Sequence, residues 1–146
     1  MIKAVIVEDE EASRITMKNY VSKYCDGVEV IGEADGVKNG VALIKELQPD
    51  LVFLDVEMPY GNAFDLLEEF DTIFFETIFV TAYSNYAIKA LNYSASHYLL
   101  KPIDIDELVE ATAKVVTKIE EKKQSDTNIN TQILLENIQI TNSQLK

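Results

Sequence analysis

Asp55 follows the apolar run Leu51-Val52-Phe53-Leu54 and opens the segment Asp55-Val56-Glu57-Met58-Pro59. Such a run, bounded by Pro49-Asp50 before and Met58-Pro59 after, predicts a buried strand of a parallel sheet. Reactive groups of open α/β sheets gather beyond the carboxyl ends of the strands. A carboxylate in that position can attack a phosphoryl donor and form an acyl phosphate. Other residues that could assist stand at equivalent places: Glu8-Asp9 after Ala4-Val5-Ile6-Val7, Thr81 at the end of Thr77–Thr81, and Lys101 after Ser96–Leu100.

If the first and third strands are neighbours, Glu8, Asp9 and Asp55 converge, and like charges so placed oppose one another's ionisation. A hard divalent cation with oxygen ligands relieves that. Mg²⁺ suits a site with few carboxylates and room for water and phosphate. Lys101 adds a compact positive charge. Phosphoryl transfer is catalysed chiefly by positioning and charge neutralisation, and a cation, Lys101 and the Thr81 hydroxyl meet those needs. The small Ala82 beside Thr81 leaves the approach open. Taken singly, each residue has a plainer role. Glu8 and Asp9 could cap a helix, Asp55 and Thr81 could serve turns, and Lys101 could be a solvated charge. Their coincidence at successive strand ends favours the chemical reading.

The elements that must position these groups alternate along the chain. Strands are expected at Ile2–Val7, Val28–Ala34, Leu51–Leu54, Thr77–Thr81 and Ser96–Leu100. Met17, Tyr20, Val21 and Tyr24 mark a first helix by their spacing, and Val37, Val41 and Ile44 a second. Gly40 weakens the second by ~1 kcal/mol relative to Ala. Shorter helices are expected over Ala63–Phe70 and Tyr86–Leu91. A fifth begins after Pro102, with Asp104 as its cap and Glu107 three residues on. Its apolar face is read as Ile105, Leu108, Val109, Thr112, Ala113, Val116 and Ile119. Five alternating pairs imply right-handed crossovers and a three-layer α/β sandwich. The flavodoxin-like five-stranded parallel sheet, order 2-1-3-4-5, is the expected fold.

Bulk properties narrow the function. The 146 residues suffice for one domain and a short appendage. A net charge of −12 argues against direct nucleic-acid binding, which rests on Lys and Arg neutralising phosphates. The single Cys25 permits no internal disulfide and suits a reducing compartment. No apolar run approaches the ~18 residues of a membrane span, and Met1-Ile2-Lys3 leads straight into a strand with no signal-peptide layout. A cytoplasmic location is expected. After Lys122-Lys123 the composition shifts. Ser125–Thr131 is polar and reads as a linker, so the expected division is a domain over 1–124 and a linker or tail over 125–146. Leu134, Ile138, Thr141 and Leu145 share a possible helix face in that tail.

Over about residues 1–124 the chain resembles the receiver domain of bacterial two-component response regulators. The resemblance rests on Val7-Glu8-Asp9, Asp55-Val56-Glu57-Met58-Pro59, Thr81-Ala82 and Tyr98-Leu99-Leu100-Lys101-Pro102. Phe79–Tyr83, Tyr86–Leu91 and Tyr98–Ile103 look most like the LytR/AlgR (LytTR) class. The resemblance implies Asp55 as phosphoacceptor from a sensor histidine kinase. Asp9 and Asp55 would bind Mg²⁺ directly, Glu8 through water, and Glu57 through its backbone carbonyl. Thr81 and Lys101 would contact the phosphoryl group, Tyr98 would be the switch aromatic, and Lys101-Pro102 a cis peptide. The output would pass through a face of the fourth helix, fifth strand and fifth helix, with Ala87, Lys89, Ala90, Asn92 and Tyr93 around it. It would drive homodimerisation or DNA binding by an effector domain outside this chain. Ala63 stands where the family commonly has Gly, with Gly61 two residues earlier, so an altered loop is expected after Asp55.

Two other classes fit less well. A haloacid-dehalogenase-type phosphatase also uses a strand-end Asp, but resembles Asp-x-Asp on a first strand. A flavodoxin-like flavin binder needs a Ser/Thr/Gly-rich first loop, whereas this loop reads Glu8-Asp9-Glu10-Glu11.

Overall fold

The structure, a computed structural model, describes residues 1–144 and the side-chain surroundings of residues 1–138. Five strands, β1 (Ile2–Val7), β2 (Val28–Ala34), β3 (Leu51–Leu54), β4 (Glu76–Thr81) and β5 (His97–Leu100), form one parallel sheet in the order β2-β1-β3-β4-β5. The helices are α1 (Glu11–Tyr24), α2 (Val37–Leu47), α3 (Ala63–Glu68), α4 (Ala87–Asn92) and α5 (Ile105–Gln144). This is the expected flavodoxin-like fold. Bounds differ modestly from expectation: α3 ends at Glu68, α4 follows a 3-10 turn over Ser84–Tyr86, and β4 starts one residue early.

Every residue of β3 is buried, as a central parallel strand covered on both faces requires. Val5, Val7, Val52, Leu54 and Phe79 join Ile44 of α2 and Phe64 and Leu66 of α3 in one core cluster. The alternate residues Ala4, Ile6, Phe53 and Ile78 are equally buried, so both faces of the sheet are covered. Gly40 lies where α2 approaches the sheet most closely. A Cβ there would stand 2.9 Å from Leu66 Cδ1 and 3.1 Å from Val7 Cγ1. The glycine that weakens the helix thus permits its packing.

The loop after Asp55 closes as a two-residue antiparallel ribbon, Glu57–Met58 with Gly61–Asn62. Its turn places Tyr60 at φ 64° and Gly61 at φ 154°, where side chains are disfavoured. Asn62 then starts α3 with a full capping box: its side chain accepts from Phe64 N and Asp65 N, and the Asp65 carboxylate accepts from Asn62 N. Asp104 Oδ1 accepts from Glu107 N at 3.1 Å, the capping role expected of it.

One correction concerns α5. The buried positions of α5 include Leu108, Ala111, Thr112 and Val115, whereas Ala113 is exposed. The helix is rotated from the expected stripe because Ala111 and Val115 complete the 3-4 spacing better than Ala113 does. Ser125–Thr131, read as a linker, is helical. It contains no Gly or Pro, and the remaining residues each cost well under ~1 kcal/mol in a helix. The chain divides into compact units at Met1–Val116 and Thr117–Lys146. In the second, Ile129, Ile133, Leu134, Leu135 and Ile138 are exposed. Leu145 and the side chain of Thr141, assigned to the same face, lie outside the described residues.

Replacing Gly40 by Val should destabilise the fold by about 2 kcal/mol, because added methyls overpack Val7 and Leu66. Urea unfolding followed by circular dichroism measures this. An unchanged midpoint would mean that α2 can move off the sheet at no cost.

Candidate functional site

Strand register builds the site. Val7 pairs with Leu54 and Leu54 with Phe79, while Thr81 pairs with Leu100. The residues that follow therefore emerge at one edge, and the ladder continues past the strands to fix them. Glu8 N donates to Ala34 O at 3.0 Å, Asp55 N to Val7 O at 3.1 Å and Lys101 N to Thr81 O at 2.8 Å. Each backbone is thus tied to a neighbouring strand or its end.

Glu8, Asp9 and Asp55 each bring a carboxylate oxygen within 4.8 Å of the others. Glu8 and Asp55 are 3% and 7% exposed. Lys101 Nζ bridges them, 3.0 Å from Glu8 Oε2 and 3.3 Å from Asp55 Oδ2. Asp55 Oδ1 accepts from Val56 N at 2.7 Å. Three acids so close, two of them buried, are a donor set suited to a hard divalent cation. Of the capping roles open to these acids, Glu8 Oε1 accepts from the backbone N of Glu10, the N-cap of α1, at 3.3 Å, while the Glu10 side chain makes no cap bond.

Burial, and then the Asp55 carboxylate, push the Glu8 carboxyl up to about 8 against the pull of Lys101. Burial also opposes the charge on Lys101, but Glu8 and Asp55 outweigh it and hold the ammonium above its ordinary value. One ammonium cannot fully compensate two buried carboxylates, which is why the Glu8 carboxyl is held above its ordinary range.

Thr81 is wholly buried, and its Oγ1 accepts from Tyr83 N at 3.4 Å. Ala82 is exposed. Tyr98 is half-buried, stacked on Phe79 with ring centroids 5.8 Å apart, and its hydroxyl donates to the Tyr83 carbonyl. The Lys101–Pro102 peptide is cis. Glu57 lies in the ribbon, exposed, its carboxylate accepting from the Tyr86 hydroxyl. Sequence reasoning missed that contact, and also Arg14, whose Nη1 donates to Glu8 O at 2.8 Å and Asp9 O at 3.1 Å. The spacing of Arg14, one helical turn beyond an acidic loop, was the available signal.

Among the described residues no helix is long and apolar enough to cross a membrane.

Residues 4–113 match the family described as the response regulator receiver domain. The chain is 35% identical over 116 residues to the transcriptional regulatory protein BtsR of Escherichia coli, covering 79% of this chain and 48% of that protein. It is 32% identical over 143 residues to the sensory transduction protein LytT of Bacillus cereus, covering 97% of this chain and 55% of LytT. The chain thus spans about half the length of these curated relatives. A crystal structure of a LuxR-family DNA-binding response regulator from Staphylococcus aureus is similar at TM-score 0.72 and 30% identity, covering 79% of this chain and 98% of that one. Sheet order, the acid cluster at its edge and these likenesses agree: the chain belongs to the response-regulator receiver domains.

Proposed function

We propose that this domain is a phosphorylation-dependent switch that takes a phosphoryl group from a sensor histidine kinase onto Asp55. The observation that carries the reading is the buried Asp55 sharing Lys101 with Glu8 inside a three-acid cluster. An Asp55 oxygen forms the new bond to phosphorus as the phosphorus–nitrogen bond of the donor phosphohistidine breaks. Lys101 then pairs with the added oxygens, and the Thr81 hydroxyl donates to one of them. Asp9 and Asp55 would hold Mg²⁺ directly, Glu8 through water, and Glu57 through its backbone carbonyl, and the cation would supply charge that neutralises the transferring group. The domain is a phosphoacceptor and not a classical enzyme: it is itself the substrate that is modified.

Movement of Thr81 toward the phosphoryl group would free space for Tyr98 and reshape the face of α4, β5 and α5. Phosphorylation shifts the equilibrium only by its preference for the active arrangement. A swing from 1:99 to 99:1 takes about 5.5 kcal/mol. Burial separates the members of this face, which sequence left undivided. Ala90 is buried, while Ile88 and Leu91 are 79% and 70% exposed and Leu100 is also exposed. Helix α4 is turned so that Ala90 packs on the core, and its large apolar side chains face outward. That surface favours homodimerisation as the output.

The likeness to BtsR and LytT supports the LytR/AlgR class, with a DNA-binding effector domain in the longer protein. Residues 1–124 act as the receiver and 125–146 as the start of the connector. A cytoplasmic location accords with a kinase partner.

Three measurements test this reading. With phosphoramidate and Mg²⁺ the wild type should gain one acid-stable, base-labile phosphoryl group by intact mass, and Asp55→Asn none; equal labelling of both would remove Asp55 from its role. Beryllofluoride with Mg²⁺ should convert monomer to dimer in sedimentation velocity, and Leu91→Glu should abolish the conversion. A wild type that stays monomeric at high concentration would exclude that face as the output.

The third measurement uses pH. The carboxyl of Glu8 is raised in the folded state, so its proton favours the metal-free fold at low pH, and that contribution fades as pH rises from 4.5 toward about 8. Cation binding must expel the same proton. Mg²⁺ affinity should therefore rise with pH, by up to about tenfold per unit, and level off above Glu8's value. Calorimetry in buffers of different ionisation enthalpy would detect the released proton. Glu8→Gln should show neither the slope nor the release; a wild-type affinity independent of pH would contradict the assignment.

A further inference from the structure

We infer that Arg14 is a positioning residue for the acidic loop, clamping the carbonyls of Glu8 and Asp9 and so fixing where their carboxylates point. The inference rests on the reading of that loop as a cation site.

The contacts are specific. Arg14 Nη1 lies 2.8 Å from Glu8 O and 3.1 Å from Asp9 O. Its Nε stands 3.7 Å from Glu33 Oε1, and the side chain is only 16% exposed. Arg14 N donates to Glu10 O at 3.0 Å, so the residue is anchored in the first turn of α1. One guanidinium thus ties together the end of β1, the start of α1 and Glu33 of β2. A carbonyl's direction sets the plane of its peptide, and two held carbonyls fix two consecutive planes. These two planes flank the Asp9 Cα and set its Cβ direction; that of Glu8 follows because Glu8 N is itself held by Ala34 O at 3.0 Å. At the start of α1 the Glu10 side chain makes no cap bond; Glu8 Oε1 accepts from Glu10 N at 3.3 Å, and Arg14 restrains the same segment through its carbonyls.

The charge of Arg14 makes the placement informative. A positive group beside a cation site weakens cation binding on Coulomb grounds. Here the guanidinium is turned toward backbone oxygens and Glu33, and its fixed fork of donors can serve both carbonyls while facing the Glu33 carboxylate. A lysine ammonium is a single point and cannot span the same partners. Charge and geometry therefore predict opposite signs.

The test uses the full chain with Arg14→Met and Arg14→Lys, titrated with Mg²⁺ by calorimetry. If Arg14 positions the loop, both variants should bind Mg²⁺ about tenfold more weakly than wild type, the usual effect of removing a group that orients metal ligands. If Arg14 acts only through charge, Arg14→Met should bind more tightly and Arg14→Lys should be unchanged; either result overturns the inference. Amide hydrogen exchange without metal gives a second reading. Exchange should quicken at residues 8–11 in both variants, while β3 and β4 keep wild-type protection, which separates loop release from unfolding. Wild-type exchange at residues 8–11 would overturn the clamp. A wild type that fails to bind Mg²⁺ would instead sink the cation reading, and exchange would still decide whether Arg14 holds the loop.

Discussion

The sheet's register forces like charges together. Packing β1, β3 and β4 side by side buries Val7, Leu54 and Phe79 completely. Each such side chain contributes roughly 1.5–3 kcal/mol on burial. The chain cannot keep that core without bringing Glu8, Asp9 and Asp55 to one spot. Electrostatic crowding is thus imposed by apolar packing, and the protein offsets it locally. Lys101 is shared between two acids, and burial beside Asp55 raises the Glu8 carboxyl so that it holds a proton more tightly than an exposed glutamate does.

The same packing connects the site to α4. Phe64 stands 5.7 Å from Phe79 and 5.1 Å from Tyr93, centroid to centroid, and also contacts Tyr86. Tyr86 donates to Glu57, two residues beyond Asp55, and Lys89 Nζ lies 4.5 Å over the Phe64 ring. Aromatic contacts and one hydrogen bond therefore join the loop after Asp55 to the helix whose outer face carries Ile88 and Leu91. A change at the end of β3 has a continuous physical route to that surface.

The strands were legible in the sequence because β1, β3, β4 and β5 each carry a dense apolar run, and β2 sets Val28, Val30 and Ile31 among glutamates in a β-rich segment. Asp55, Thr81 and Lys101 could be read for the same reason: a strand's end is visible in one dimension. The ribbon at Glu57–Asn62 was not, since its two-residue strands have no periodicity. The Asn62–Asp65 capping box was overlooked because Ala63 drew attention as a missing glycine. Arg14 escaped notice because backbone carbonyls leave no trace in residue identity. The orientation of α4 was left open for a related reason. Six residues are under two turns, too few for spacing alone to say that Ala90 faces inward and Leu91 outward. Polarity suggested a linker over Ser125–Thr131, and polarity does not oppose a helix where Gly and Pro are lacking.

The hydroxyl of Tyr98, tied to the carbonyl of Tyr83, sets a cost on moving that ring. Turning it inward would break the tie and leave a phenolic oxygen in need of a new partner. A phenylalanine in its place would carry no such cost, so a single oxygen atom decides how firmly the ring is held.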